Sequence, residues 1–275
     1  MRPRSCSAEA VGRVGCDGVA PHEPYAESLG QPGPRTPVHR RVVALGGLAA
    51  ALGVTNVLAA PRLGRLAAMS WNLGTTAVTL ALAQWAGADR AAIGLHLHRL
   101  RRGLVTGAAG SAAIAALLGA VTASRTGRGL LDDDRVVNAT WAQTAAHVGI
   151  FIPLGTVLFE EVAFRGVLPA LLDPDLRSIP MTVVVPAMTF GAWHIVSSRD
   201  FVAAHDHASA DGGATGSVAG TVVATTAAGL VLAVARRQSG HLVAPALMHL
   251  TANALVTVVG RVVGRHRRGG PGEPD

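Results

Sequence analysis

Three short spacings in the chain gather side chains that can do acid–base chemistry. Glu160, Glu161 and Arg165 read Glu-Glu-x-x-x-Arg, Phe190 and His194 read Phe-x-x-x-His, and His249 and Asn253 read His-x-x-x-Asn. Positions four apart on a helix share a face, so each spacing presents its groups to a common point. Glu161 and Arg165 stand in the favourable order for a helical ion pair, acid first. Glu160 is turned about 100° away on a 3.6-residue helix and is left outside that pair. A carboxylate beside an imidazole can activate water. An imidazole with an amide can donate hydrogen bonds to developing negative charge. Taken singly, each spacing has a plainer reading: a helical ion pair, a satisfied histidine, a polar link between helices.

The elements that must carry these residues are membrane helices. The chain is 49% hydrophobic and only 15% charged, with a mean hydropathy of +0.37, too apolar for an ordinary soluble surface. Aromatic residues make up 4%, so the apolar bulk is small and aliphatic, which suits close helix packing. Seven stretches approach the roughly 20 apolar residues needed to span a bilayer: 42–60, 66–88, 103–124, 140–159, 179–198, 216–235 and 242–260. The fold expected is all-α, a polytopic transmembrane bundle of about seven spans. The fourth span should run on through Arg165 to Leu172, where Asp173, Pro174 and Asp175 end it. Ionisable groups at membrane depth cost on the order of 2.5–3.5 kcal/mol each on insertion scales, and three spans carry them together, which packing alone does not justify.

The rest of the chain adds boundaries. Residues 1–40 read as a disordered polar tail and 41–265 as the helical domain, with the chemical core at 140–260 and a second polar tail at 266–275. Net charge is +7, and all 24 basic residues are arginine. They fall between apolar runs in juxtamembrane fashion, which argues against a nucleic-acid partner. Their distribution between the two sides is too even to orient the chain. Cys6 and Cys16 lie in the first tail without a CxxC spacing. His96 and His98, in the amphipathic stretch between the second and third spans, read as headgroup-level residues rather than metal ligands. His205, Asp206 and His207 have a metal-like composition without a third partner nearby.

Taken in order, the three motifs resemble the CPBP (Abi) family, which includes the type II CAAX prenyl endopeptidases and bacteriocin-processing enzymes. The resemblance implies that Glu160 and His194 activate a water, that His249 and Asn253 hold the oxyanion of the tetrahedral intermediate, and that Glu161, Arg165 and Phe190 support them. It further implies an intramembrane endopeptidase acting on membrane-associated peptides or proteins in the lipid bilayer, with the plasma membrane as the expected location. Members were long regarded as metalloproteases, and Glu160, His194 and His249 could serve as Zn ligands. The chain lacks HExxH, so a cofactor-free carboxylate mechanism is preferred and Zn is the alternative. A serine nucleophile is disfavoured, because Gly216 to Gly220 has the wrong spacing for Gly-x-Ser-x-Gly. The rival from another class is a non-catalytic transporter or immunity-type binder that uses the same polar groups to hold a ligand.

Overall fold

Hydrocarbon offers the backbone no hydrogen-bond partners, so a chain this apolar must satisfy its amides within helices. The computed structural model describes residues 37–124, 127–128, 137–205 and 213–268. Most of the first tail with both cysteines, Asp206 and His207, and residues 269–275 lie outside the described residues. Eight helices carry the argument: α1 (Val38–Gly53), α2 (Arg65–Trp85), α3 (Arg90–Ile93), α4 (Leu100–Ala123), α5 (Trp141–Leu172), α6 (Val185–His205), α7 (Gly213–Ser239) and α8 (Val243–Arg268). Among the described residues there is no β-strand. Among the described residues seven segments are long and apolar enough to cross a membrane, and each overlaps one of the seven expected spans. The protein is a polytopic helical membrane protein.

α5 is the central element. It opens on a capping box in which Thr140 Oγ1 accepts from the Gln143 N–H at 3.1 Å and Gln143 Oε1 accepts from the Thr140 N–H at 2.8 Å. Its 32 residues make a rod of about 48 Å at ~1.5 Å per residue. That exceeds a hydrocarbon core of about 30 Å, so the helix tilts or emerges from it. As the sequence suggested, it runs past Arg165 and stops at the extended Asp173. Two stretches widen to π geometry, which the sequence reading did not foresee. The first, His147–Val157, contains Pro153, which has no N–H to give the regular ladder. The second, Val162–Val167, surrounds Arg165.

Every residue from Phe159 to Leu171 is buried. Around this half of α5 close Ala44 and Leu48 of α1, Ala83 of α2, Ile93 of α3, Phe190 of α6 and Leu242 at the entry to α8. Two amides lock α1 and α2 onto the centre: Asn56 Nδ2 donates to the Trp193 carbonyl at 2.7 Å, and Asn72 Nδ2 donates to the Gly155 carbonyl. Gly155 lies in the first π stretch, where a carbonyl displaced from the regular ladder needs such a donor at membrane depth.

α8 is held against α4 by small residues. A Cβ added at Gly107 would come within 3.1 Å of both the Cα and the carbonyl oxygen of Ala244, and one at Gly110 would strike Met248. Thr251 Oγ1 donates to Ser111 Oγ across the same seam at 2.9 Å. α6 meets α7 in the same manner, since a Cβ at Gly191 would collide with Thr226. With no hydrophobic driving force between helices in lipid, such close approach is what holds them together.

Gly107→Leu should therefore push α8 off α4, lowering stability by about 1–3 kcal/mol, the usual scale of overpacking. Gly119→Leu, on the same helix but facing open space, should leave it unchanged. Thermal unfolding of both variants in detergent checks this, and equal effects would contradict the seam.

Candidate active site

The buried half of α5 carries Glu160, Glu161 and Arg165, all less than a tenth exposed. Arg165 Nη1 donates to Glu161 Oε1 at 3.0 Å, so the ion pair expected from the spacing is present. The guanidinium also lies over the Phe190 ring, 3.9 Å from its centroid, which brings α6 into the cluster. At that distance a desolvated cation gains a cation–π attraction.

α8 adds His249, 8% exposed. Its Nδ1 lies 2.7 Å from Glu161 Oε1, and its Nε2 lies 3.8 Å from Glu160 Oε2. A carboxylate oxygen that already takes an Arg165 N–H can only accept, so Nδ1 is the protonated nitrogen and donates to it. The imidazole thus stands between the two adjacent acids, one at each ring nitrogen. Sequence geometry separated Glu160 from the Glu161–Arg165 pair but did not supply this bridge, because the bridging group comes from another helix.

The Phe190 ring connects the two histidines. It meets the His194 ring edge-on at 4.6 Å and the His249 ring at 5.9 Å. His194 is half-buried, and its Nδ1 lies 2.8 Å from the Phe190 carbonyl oxygen. A carbonyl can only accept, so Nδ1 again carries the hydrogen, and a neutral His194 keeps its lone pair on Nε2. Asn253 follows His249 by one turn on the same helix and is half-buried. Among the described residues no hydrogen bond links its side-chain amide to the others.

Trp193 is the residue that the spacings missed. Its indole Nε1 donates to Glu160 Oε1 at 3.3 Å, and its ring packs against Phe159 and Phe164, each at 5.8 Å. The Trp193 carbonyl is the one held by Asn56, just past the end of α1. A tryptophan beside His194 on an apolar helix reads as packing, and only the fold shows that its N–H reaches an acid. Glu160 Oε2 is buried without a hydrogen-bond partner among the described residues.

Among the described residues no three His, Cys, Asp or Glu side chains stand grouped as metal ligands. The His96 and His98 rings lie 4.1 Å apart, tilted to each other, with His241 at 6.4 Å from His96, at the junction of α3, α4 and the turn before α8. Burial, and then neighbouring Arg236, hold the His241 imidazole below its usual range.

The fold and this buried acid–imidazole cluster define a class, a multi-pass membrane protein with ionisable groups converging inside its helices. Residues 141–255 match the family model described as type II CAAX prenyl endopeptidase Rce1-like, the same family that the three motifs resemble. The family is one of CAAX-type intramembrane endopeptidases, and its matched segment contains all seven motif residues and Trp193. Comparisons with curated proteins and with solved structures gave no match.

The two acids should respond differently to neutralisation. Glu161→Gln leaves Arg165 buried without its carboxylate, a loss on the scale of about 3–5 kcal/mol for a broken buried pair, and should sharply reduce accumulation and the unfolding temperature in detergent. Glu160→Gln keeps shape and the Trp193 contact and should be much milder. Equal destabilisation by the two would show that the ion pair is not the structural one.

Proposed function

We propose that the protein hydrolyses peptide bonds of membrane-associated peptides or proteins, with Glu160 and His194 activating the water and His249 and Asn253 receiving the oxyanion. The observation that carries this reading is Glu160 itself: a buried carboxylate with one oxygen on the Trp193 indole and the other without a partner among the described residues, 3.8 Å from an imidazole nitrogen. An oxygen in that position can accept a proton from a water held near both groups. The neutral His194 tautomer, with its lone pair on Nε2, is suited to hold the same water.

The oxyanion role asks more of His249. To donate from Nε2 while Nδ1 donates to Glu161, the ring must carry two protons. Glu161 supplies the countercharge for that state and also fixes the ring's orientation, much as the acid of a catalytic triad does for its histidine. Glu161 is therefore a positioning residue that acts through His249, in addition to pairing with Arg165. Asn253, half-buried and one turn away, can turn its amide to the same oxyanion. The mechanism requires no metal; Zn on Glu160, His194 and His249 is the alternative. The protein is placed in the cell membrane by this reading.

The test compares cleavage of membrane peptides by cells or proteoliposomes carrying wild-type or Glu160→Gln protein. Turnover should fall by roughly 100-fold or more, the usual scale for a lost general base, while the protein still accumulates. Unchanged cleavage in Glu160→Gln would end the carboxylate mechanism. Loss of wild-type activity on chelation, restored by Zn, would assign the chemistry to a metal instead.

A further inference from the structure

α8, the helix that carries His249 and Asn253, starts from a short turn after α7, and the turn holds a histidine that the acid–imidazole cluster does not use. A helix start leaves backbone N–H groups that the helix itself cannot satisfy. Here each has a partner. The Leu242 N–H donates to the Gly94 carbonyl at 2.9 Å, the Val243 N–H to His241 Nδ1 at 3.0 Å, and the Ala244 N–H to the His241 carbonyl at 3.3 Å. Pro245 has no N–H to satisfy, and the Ala246 N–H opens the regular ladder on the Leu242 carbonyl at 3.1 Å. The His241 ring thus does the work that a hydroxyl, amide or carboxylate ordinarily does at a helix start.

That role fixes the charge of the ring. A backbone N–H can only donate, so Nδ1 keeps its lone pair and the ring hydrogen sits on Nε2. An imidazolium carries a hydrogen on both nitrogens and cannot accept the Val243 N–H. It would also set a positive charge at the positive end of the helix dipole. A serine or asparagine would hold this turn at any pH, whereas a histidine holds it only while neutral.

The surroundings leave the ring little freedom. His241 is 7% exposed, its N–H is taken by Ser239 Oγ at 3.2 Å, and a Cβ added at Gly103 of α4 would come within 2.9 Å of its Cβ. The charged and titratable groups brought against it are His96, Arg99 beside Gly240, and Arg236 at the end of α7, with His98 behind His96. Both ring nitrogens of His96 are buried without a hydrogen-bond partner among the described residues. The lowered His241 pKa, set first by burial and then by Arg236, means that the docked turn binds fewer protons than a released one. Its stability is therefore full above the ordinary imidazole pKa of about 6.5 and is lost as the pH falls below it. His241 lies between the spans Val218–Ser239 and Val243–His266, at the boundary that aqueous protons reach.

We propose that His241 is a proton-operated latch: its protonation breaks the cap, frees the first turn of α8 from α3, and loosens the helix that bears His249 and Asn253. His249 stands only about 9 Å along the helix from Val243, at ~1.5 Å per residue, so a displaced start withdraws its ring from Glu161. Acid then disassembles the site reversibly. The consequence for peptide hydrolysis rests on the proposed function, but the latch itself does not.

The experiment is hydrogen–deuterium exchange of the full chain in detergent at about pH 7.5 and about pH 5.5, with exposure times scaled to the chemical exchange rate. In the wild type, protection of the amides from Leu242 to Ala246 should fall by roughly fivefold or more at the lower pH and return when the pH is raised. His241→Asn supplies a side-chain acceptor that does not titrate, and its protection should stay constant over the same range. His241→Ser gives the same readout if His241→Asn fails to accumulate. An equal loss in the wild type and a non-titrating variant would overturn the proposal, because the proton would then act elsewhere, as on His96 or His98. So would wild-type protection that does not change with pH. The readout is the docking of α8, so its failure is distinct from any failure of the proposed proteolysis.

Discussion

The buried ion pair between Arg165 and Glu161 is the constraint on which the rest of the site depends. Neither charge is tolerable alone at that depth. Together they leave one carboxylate oxygen that also takes the His249 N–H at 2.7 Å, and a guanidinium plane on which the Phe190 ring rests. α5, α6 and α8 are thereby tied at one level by side chains that cannot be separated cheaply. Glu160, one residue before the pair, is carried into the same space without being consumed by it.

The supports of this arrangement extend beyond residues 141–255, the part that matches the family. Asn56, just past the end of α1, and Asn72 on α2 both reach carbonyls inside it. The first holds the backbone of Trp193, whose indole in turn donates to Glu160. On the opposite side α4 presents glycines to α8, which lets the helix bearing His249 and Asn253 approach closely. The amino-terminal helices are therefore part of the positioning machinery, although the motif residues all lie on later ones.

Much of this was legible in the sequence because it is local. Seven apolar runs of spanning length mark seven helices, and an acid four residues before Arg165 marks an ion pair, since both follow from composition and helical period. The match of three motifs in order was enough to name the family. What was not legible depends on partners from other helices. Trp193 belongs to none of the three spacings, and Glu160 stands outside the Glu161–Arg165 pair, since neither the indole contact nor the His249 ring between the two acids has a sequence signature. The π turns around Pro153 and Arg165 have no spacing signature in the sequence either.

The claim at the centre of this account is that Glu161 and His249 act as one unit bridging α5 and α8. A double-mutant cycle with Glu161→Gln and His249→Gln, read by unfolding in detergent, measures their coupling directly. The account expects an interaction of at least about 1 kcal/mol, as found for residues in one buried hydrogen-bonded network. Effects that add within about 0.5 kcal/mol, the behaviour of independent sites, would contradict it.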